Sequence, residues 1–188
     1  QFGVSLAYTP TVLSNGRISM RVRPEVSELS TQGSITLNGF QVPALTTAHI
    51  ANLTTAQIAG FGSTQLGAMT SSQVAALTTD HIGQLSTSQI ATFSTAGIRG
   101  METADLVALT TAQVAALLPG QVSALTSEQV GVLSADQVGA LSVQQLASLS
   151  TDQIVFVQTS AISGFSPAQI RALSTRQVAA LTTDQTVA

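Results

Sequence analysis

The residues with the clearest potential for chemistry in this 188-residue chain are its two histidines, His49 and His81. Neutral imidazole is a common zinc ligand, so two histidines that a fold stacked together could share a metal ion. No carboxylate motif accompanies either of them. We therefore favour a structural role for each histidine, and we expect no metal site, no cofactor site and no catalytic residue.

Other reactive residue types are scarce. The chain contains no Cys, and its six basic residues are all Arg. A net charge of −3 argues against a nucleic-acid-binding surface, which requires clustered positive charge. The sequence has no Gly-rich phosphate loop, and its many Ser residues have another explanation, given below. The composition thus predicts a protein that is not an enzyme and has no nucleic-acid partner.

The candidate groups belong to a strict eight-residue repeat that begins at Leu45 and continues without insertion to the C-terminus. We label its positions a to h. Position a is apolar in all eighteen octads, f is Ile, Leu or Val in all but the last, b is Ser or Thr in fourteen, and e is Gln in thirteen. Repeats of this kind dictate architecture.

Neither a long helix nor a strand accommodates this period. In a continuous helix eight residues turn the face by roughly 80°, so an a/f stripe would spiral around the axis. In a strand, f and the next a would point to opposite faces. Instead, S/T-x-x-Q at b to e is a capping box, with a and f as the hydrophobic staple. Pro119 and Pro167 both fall at c, the first helical position, where proline is tolerated. Each octad therefore predicts a new short helix, which also explains the Ser residues.

One octad cannot fold alone, because ordering eight residues costs about 12 kcal/mol and two buried aliphatic side chains return only about 3–6 kcal/mol. The octads must stack, with a and f inward and c, d and g outward. We predict a mainly α fold, a solenoid of eighteen very short helices over residues 45–188, preceded by a small antiparallel β segment over residues 1–44. The number of octads per superhelical turn stays open.

Five acidic residues share position d, in the first turn of the predicted helices. They could form a cation-binding stripe, but a solvated surface that matches the helix dipole is the interpretation we favour. The five are Asp80, Glu128, Asp136, Asp152 and Asp184.

The least regular stretches are 102–109 and 158–165. Glu102 and Gln158 replace the capping residue, and Phe156 stands where Ala is usual. Such irregularities could mark a binding seam or could be neutral drift, and we favour drift.

The first 44 residues alternate apolar and polar positions around Asn15-Gly16, a dipeptide favoured in tight hairpin turns. We predict three antiparallel strands over roughly residues 3–12, 17–23 and 34–42. Arg17, Arg21 and Arg23 then share one face, which we interpret as the polar face of a half-buried sheet.

The phrase "LAYTPTVLSNGRISMRVRPEVSELS", followed by "ITLNGFQVPALTT", resembles part of the secretin domain. Secretins are the outer-membrane ring channels of type II secretion and of pilus assembly, and the similarity is greatest to those of Flp/Tad-type pili. In that family further strands follow, whereas here the chain passes into octads at Leu45. The resemblance implies an envelope context. The octads themselves resemble octapeptide repeat arrays of bacterial surface or secreted proteins.

Our leading hypothesis is a structural repeat protein of the bacterial cell envelope or exterior, such as a spacer, an adhesive stalk or a filament element. It would be secreted, on the cell surface or at the outer membrane of a Gram-negative bacterium. The alternative is a secretin-related component of a secretion or pilus-assembly channel. We expect self-association through the solenoid ends, contacts with envelope or secretion-system proteins, and no membrane-spanning helix.

Overall fold

The chain divides into two units, Gln1–Ala44 and Leu45–Ala188. A computed structural model describes the backbone of residues 5–12, 18–25, 35–37 and 40–42, and describes residues 45–187 in full.

The first unit contains two antiparallel hairpins. Strand β1 (Ser5–Val12) pairs with β2 (Ile18–Glu25), and β3 (Ile35–Leu37) pairs with β4 (Phe40–Val42). The single third strand predicted over 34–42 is therefore wrong. The sequence between β3 and β4 is Asn-Gly, which favours a tight turn over a continuous strand. The predicted turn at Asn15-Gly16 and residue Arg17 lie outside the described residues.

The second unit is an array of short α-helices, one in each octad, as the capping pattern predicts. Their bounds are α1 Thr47–Ala51, α2 Thr55–Ala59, α3 Ser63–Gly67, α4 Ser71–Ala75, α5 Thr79–Gln84, α6 Thr87–Ile90, α7 Thr95–Gly100, α8 Thr103–Ala108, α9 Thr111–Ala115, α10 Pro119–Ala124, α11 Ser127–Gly131, α12 Ala135–Gly139, α13 Val143–Ala147, α14 Thr151–Ile154, α15 Thr159–Ser163, α16 Pro167–Ala172, α17 Thr175–Ala180 and α18 Thr183–Thr186. The prediction of repeated helix starts is confirmed.

Capping explains why each helix begins where it does. In α9 the hydroxyl of Thr110 accepts a hydrogen bond from the Gln113 amide at 3.2 Å, and the Thr110 amide donates to Gln113 Oε1 at 2.8 Å. Thr110 itself has extended backbone angles. Helices α10 and α16 begin at Pro119 and Pro167, the two prolines expected at the first helical position. The local sequence thus sets the start of nearly every helix.

Three octads complete one coil of the solenoid. Helices pack against the third helix along the chain, as α4 does with α7 and α7 with α10. Residue e of one octad therefore lies beside residue a of the octad three earlier. His49 and His81 lie four octads apart and could stack only in a coil of four octads, so the three-octad coil does not bring them together.

The core runs along the inside of the coils. Its side chains come from positions a and f, as expected, with Val114, Leu117 and Val122 as typical members. Positions c and d are exposed in most octads of the middle of the array, although Ser127 and Ala135, both at c, are half-buried. Position e is buried as well, in Gln113 and in most of its counterparts, and the sequence interpretation did not anticipate this.

Candidate functional site

The most regular chemical feature of the array is a set of buried glutamines between successive coils. Gln113 Oε1 accepts the Thr110 amide within its own octad. Its Nε2 donates to the carbonyl of Leu85 at 2.7 Å and to that of Ile82 at 3.1 Å, both in the preceding coil. One side chain thus caps its own helix and links it to the coil before it. We call this arrangement the glutamine ladder.

The ladder extends along almost the whole array. In each case a glutamine Nε2 donates to the position-a carbonyl 28 residues earlier. The pairs are Gln73 with Leu45, Gln89 with Phe61, Gln113 with Leu85, Gln121 with Phe93, Gln129 with Met101, Gln137 with Leu109, Gln145 with Leu117, Gln153 with Leu125, Gln169 with Leu141, Gln177 with Leu149 and Gln185 with Val157.

The ladder solves a problem that very short helices create. A helix leaves its last carbonyls without intrahelical partners, and a buried carbonyl without a partner costs free energy. The carbonyls at g and at the next a lie at such a helix end, whereas the f carbonyl also accepts the amide of the next a residue, as Ile82 does from Leu85. A neutral amide offers two N–H donors and one acceptor oxygen, so it serves both coils at once.

The sequence contains a signal for this second role. A capping box accepts Glu as readily as Gln, yet no octad has Glu at position e. Glutamate would place a charge in the core and would offer no N–H to the preceding coil. The use of Gln in thirteen octads and of Glu in none therefore indicates a buried, donating side chain.

His81 takes the place of a ladder glutamine. Its Nδ1 accepts the Thr78 amide at 3.2 Å, and its Nε2 lies 2.8 Å from the carbonyl of Leu53. The two contacts require the tautomer with the proton on Nε2, which then donates to Leu53. His49 lies in the first coil and caps α1, with its Nδ1 3.4 Å from the Thr46 amide. Both histidines thus substitute for Gln in the capping box, and the array does not bring them together.

The five predicted acidic residues are all exposed and lie in the first turn of their helices. Closure of the coil in three octads puts Asp80, Glu128 and Asp152 on one side of the solenoid. Ala104 interrupts that column between the first two. Asp136 and Asp184 lie on another side. Among the described residues, no group of three or more His, Cys, Asp or Glu side chains is placed to hold a metal ion.

Helices α4 and α7 approach each other unusually closely. Gly97 replaces the glutamine at e, and a Cβ on Gly100 would lie 2.7 Å from the Cα of Ser71. Beside this contact is an open cavity of about 510 Å³ lined by Ser71, Thr95, Ala96, Arg99, Gly100 and Ala124. Arg99 Nε donates to the carbonyl of Ala124 at 3.3 Å. Arg99 is the single charged residue in the lining of this cavity.

The two irregular stretches keep their helices, α8 and α15, without a side-chain cap from Glu102 or Gln158. Gln158 Nε2 instead lies 3.4 Å from the carbonyl of Gly131, and the Phe156 ring packs over that glycine. Asp105, at position e of α8, is 2% exposed, and its Oδ2 has no hydrogen-bond partner in the described part of the chain. Sequence reasoning did not single out Asp105.

Burial raises the pKa of the Asp105 carboxyl above its usual range. The amide of Glu102 opposes this effect, the negative charge of Glu102 adds to it, and His81 weakly opposes it. Of the helices described, none is both long and apolar enough to cross a membrane.

Comparison with known proteins identifies the repeat. The family model described as the ALTTAQ repeat matches residues 42–79, 50–87, 82–119, 115–143 and 158–188. The uncharacterised protein y4xJ of Sinorhizobium fredii (strain NBRC 101917 / NGR234) is 57% identical over 47 residues, which are 25% of this chain and 11% of that protein. The chain thus covers only a small part of that relative, whose name states no function. No solved structure matches the chain.

The family matches cover well over half of the chain and lie almost wholly within the array of helices α1 to α18. The chain therefore belongs to the ALTTAQ repeat family.

Proposed function

We propose that this protein is a non-catalytic structural repeat protein of the bacterial cell envelope or exterior, which acts as a spacer, an adhesive stalk or a filament element. The glutamine ladder carries the proposal. Side chains with hydrogen-bonding capacity in the interior, such as Gln113 and His81, already contact capping amides and the carbonyls of the preceding coil. The exposed positions c and d are mainly short, uncharged residues. Such a molecule acts as a spacer and catalyses no reaction.

The ladder also makes length adjustable, which suits a spacer. Each coil contacts only its neighbours, so stability is a sum of nearest-neighbour terms. Because each ladder residue at e reaches the a residue 28 positions earlier, removal of any whole octad preserves this spacing for all later octads. Removal of three octads should shorten the array by about 8–10 Å, the usual spacing of packed helices.

Two deletions test this property. Removal of residues 109–116, one whole octad, should leave helix content per residue and cooperative melting close to those of the parent chain. Removal of residues 109–112, half an octad, places polar positions in the core and should abolish cooperative melting of the array. Circular dichroism and small-angle scattering measure both effects. Equal damage from the two deletions would contradict a register-based spacer.

The proposed location needs a separate experiment. In native cells, an epitope tag at the C-terminus should bind antibody on intact cells, while a cytoplasmic marker in the same cells stays unlabelled. Labelling that appears only after lysis would contradict the proposed envelope location. It would not contradict the proposed role as a spacer.

A second candidate function is a secretin-related component of an outer-membrane secretion or pilus-assembly channel. The sequence over residues 6–30, with the antiparallel pairing of β1 and β2, favours it. A secretin-like protein should give ring multimers that resist detergent when the full-length protein is extracted from membranes. A detergent extract that holds only monomers would argue against this alternative.

A further inference from the structure

Asp105 interrupts the glutamine ladder with a carboxyl group. Three octads lack a ladder donor at position e, where they have Gly97, Asp105 and Ala161. Glycine and alanine place no polar side-chain atom between the coils. Asp105 places a carboxyl group there, 2% exposed, with Oδ2 unpartnered in the described part of the chain.

The repeat register identifies what the Asp105 side chain faces. Helix α8 packs on α5, as the three-octad coil requires. Gln113, one octad later, donates to Leu85, which lies 28 residues before it, and the same spacing places the carbonyl of Leu77 opposite Asp105. Among the backbone hydrogen bonds outside the helices in residues 45–187, none has the Leu77 carbonyl as its acceptor. The unpartnered carboxyl oxygen of Asp105 and the Leu77 carbonyl thus occupy the two positions that a ladder hydrogen bond joins in the other octads.

Oxygen atoms with lone pairs repel each other unless a proton or a cation lies between them. A neutral carboxylic acid has one O–H donor, whereas a carboxylate has none. Protonation would therefore give Asp105 the donor that Gln113 has as an amide. Desolvation acts in the same direction, because burial disfavours the charged form and raises the pKa of the carboxyl.

The charged neighbours do not offer a competing ion pair. Glu102 on the same octad is acidic, and its charge also raises the pKa of Asp105. On α5 the titratable side chains are Asp80, which is exposed, and His81, which uses both ring nitrogens in hydrogen bonds. On α11, the other helix packed against α8, the only titratable side chain is the exposed Glu128.

We propose that Asp105 is protonated in the folded array and donates its proton to the Leu77 carbonyl, which makes this coil contact a pH-sensitive latch. The latch closes when the proton is bound and opens when it is lost. It is independent of the proposed spacer function and of where the protein resides.

The sign of the pH dependence follows from linkage. The folded state holds the Asp105 proton more tightly than the unfolded chain, where the pKa of Asp is about 3.9. The extra stability is therefore fully present below about pH 3.9 and is lost as pH rises through the higher pKa of the folded state. Within that window the opening equilibrium constant should rise by up to about tenfold per pH unit.

Hydrogen exchange of the full chain at pH 4 to 8, corrected for the intrinsic exchange rate, tests the latch. The amides of segments 74–85 and 101–109 should lose protection as pH rises. Asp105→Gln restores the ladder donor and should abolish that loss, with Asp105→Asn as a second neutral variant should the longer side chain fail to fit. Asp136→Asn, which removes an exposed acid in α12, should leave the loss unchanged. Segment 133–149 provides an internal reference.

Equal pH dependence in the parent chain and in both neutral variants would overturn the proposal. A cation between the two oxygens would give a different result. Protection at pH 8 would then rise saturably with NaCl, KCl or CaCl2 in the parent chain and stay flat in Asp105→Asn, and that outcome would replace the proton with a metal ion. Insensitivity to all three salts, with protection lost at high pH, is the result we expect.

Discussion

The side chain of Gln145 and the carbonyl of Leu117 form a hydrogen bond of 2.6 Å, although they are 28 residues apart in the sequence. The same side chain accepts the Ser142 amide at 2.7 Å through Oε1. A residue that seems to act only within its own octad therefore also joins neighbouring coils. Because of this dual role, the buried glutamine both caps its own helix and holds neighbouring coils together.

The two roles of glutamine can be separated by matched substitutions. Gln145→Ala removes the capping acceptor and leaves the carbonyl of Leu117 without a donor, so we expect a loss of about 2–4 kcal/mol. Gln57 lies in the first coil, is exposed and accepts the Thr54 amide at 2.8 Å. Gln57→Ala should cost about 0.5–1 kcal/mol, as a partial loss of a cap does. Urea denaturation measures both, and equal costs would mean that the inter-coil link contributes nothing.

Capping can be tested at Thr110, whose hydroxyl accepts the Gln113 amide. Thr110→Ala should lower the free energy of unfolding by about 0.5–2 kcal/mol, the usual cost of a lost N-cap. Thr111→Ala is the control, since Thr111 is exposed at the next position and begins the helix without capping it. Thermal melts of the two variants should separate. If they coincide, Thr110 is not a cap.

Close packing of α7 on α4 depends on Gly100. Gly100→Ala would drive a Cβ into the backbone of Ser71, which has no side-chain freedom with which to yield, and should cost about 1–3 kcal/mol. Gly139, also the last residue of its helix, has nothing within 4 Å of an added Cβ. Gly139→Ala should be neutral or should stabilise by about 0.4–1 kcal/mol. The same urea titration could give a higher free energy of unfolding for Gly100→Ala than for the parent chain. That result would show that α4 and α7 can move apart without cost and would contradict this prediction.

Self-association through the solenoid ends remains a prediction. In the final coil of the 188-residue chain, Ile170 and Val178 are 46% and 48% exposed, whereas the corresponding position-f residues of inner coils, such as Ile154, are fully buried. Val178→Glu should therefore weaken concentration-dependent association in analytical ultracentrifugation. Val107→Glu is the matched control, because Val107 is 59% exposed on the side of the array. A parent chain that stays monomeric at all concentrations would contradict this prediction.

Much of the fold was predictable because its determinants lie within one octad. A cap at b, a partner at e and a staple between a and f are at most five residues apart, so Thr110, Gln113 and Val114 alone specify a helix start. Pro119 and Pro167 mark the same position independently. The resulting array of eighteen short helices agrees with the sequence interpretation.

The tertiary structure decided everything that depends on contacts between coils. The closure of a coil in three octads depends on successive bends and on packing across 24 or more residues, and no single octad encodes it. That closure separates His49 from His81, buries Gln113 against Leu85 and places Asp105 opposite Leu77. The sequence by itself determined where each helix starts, because capping is local. Only the stacked coils decided which polar side chains are buried, because burial depends on residues far apart in the chain.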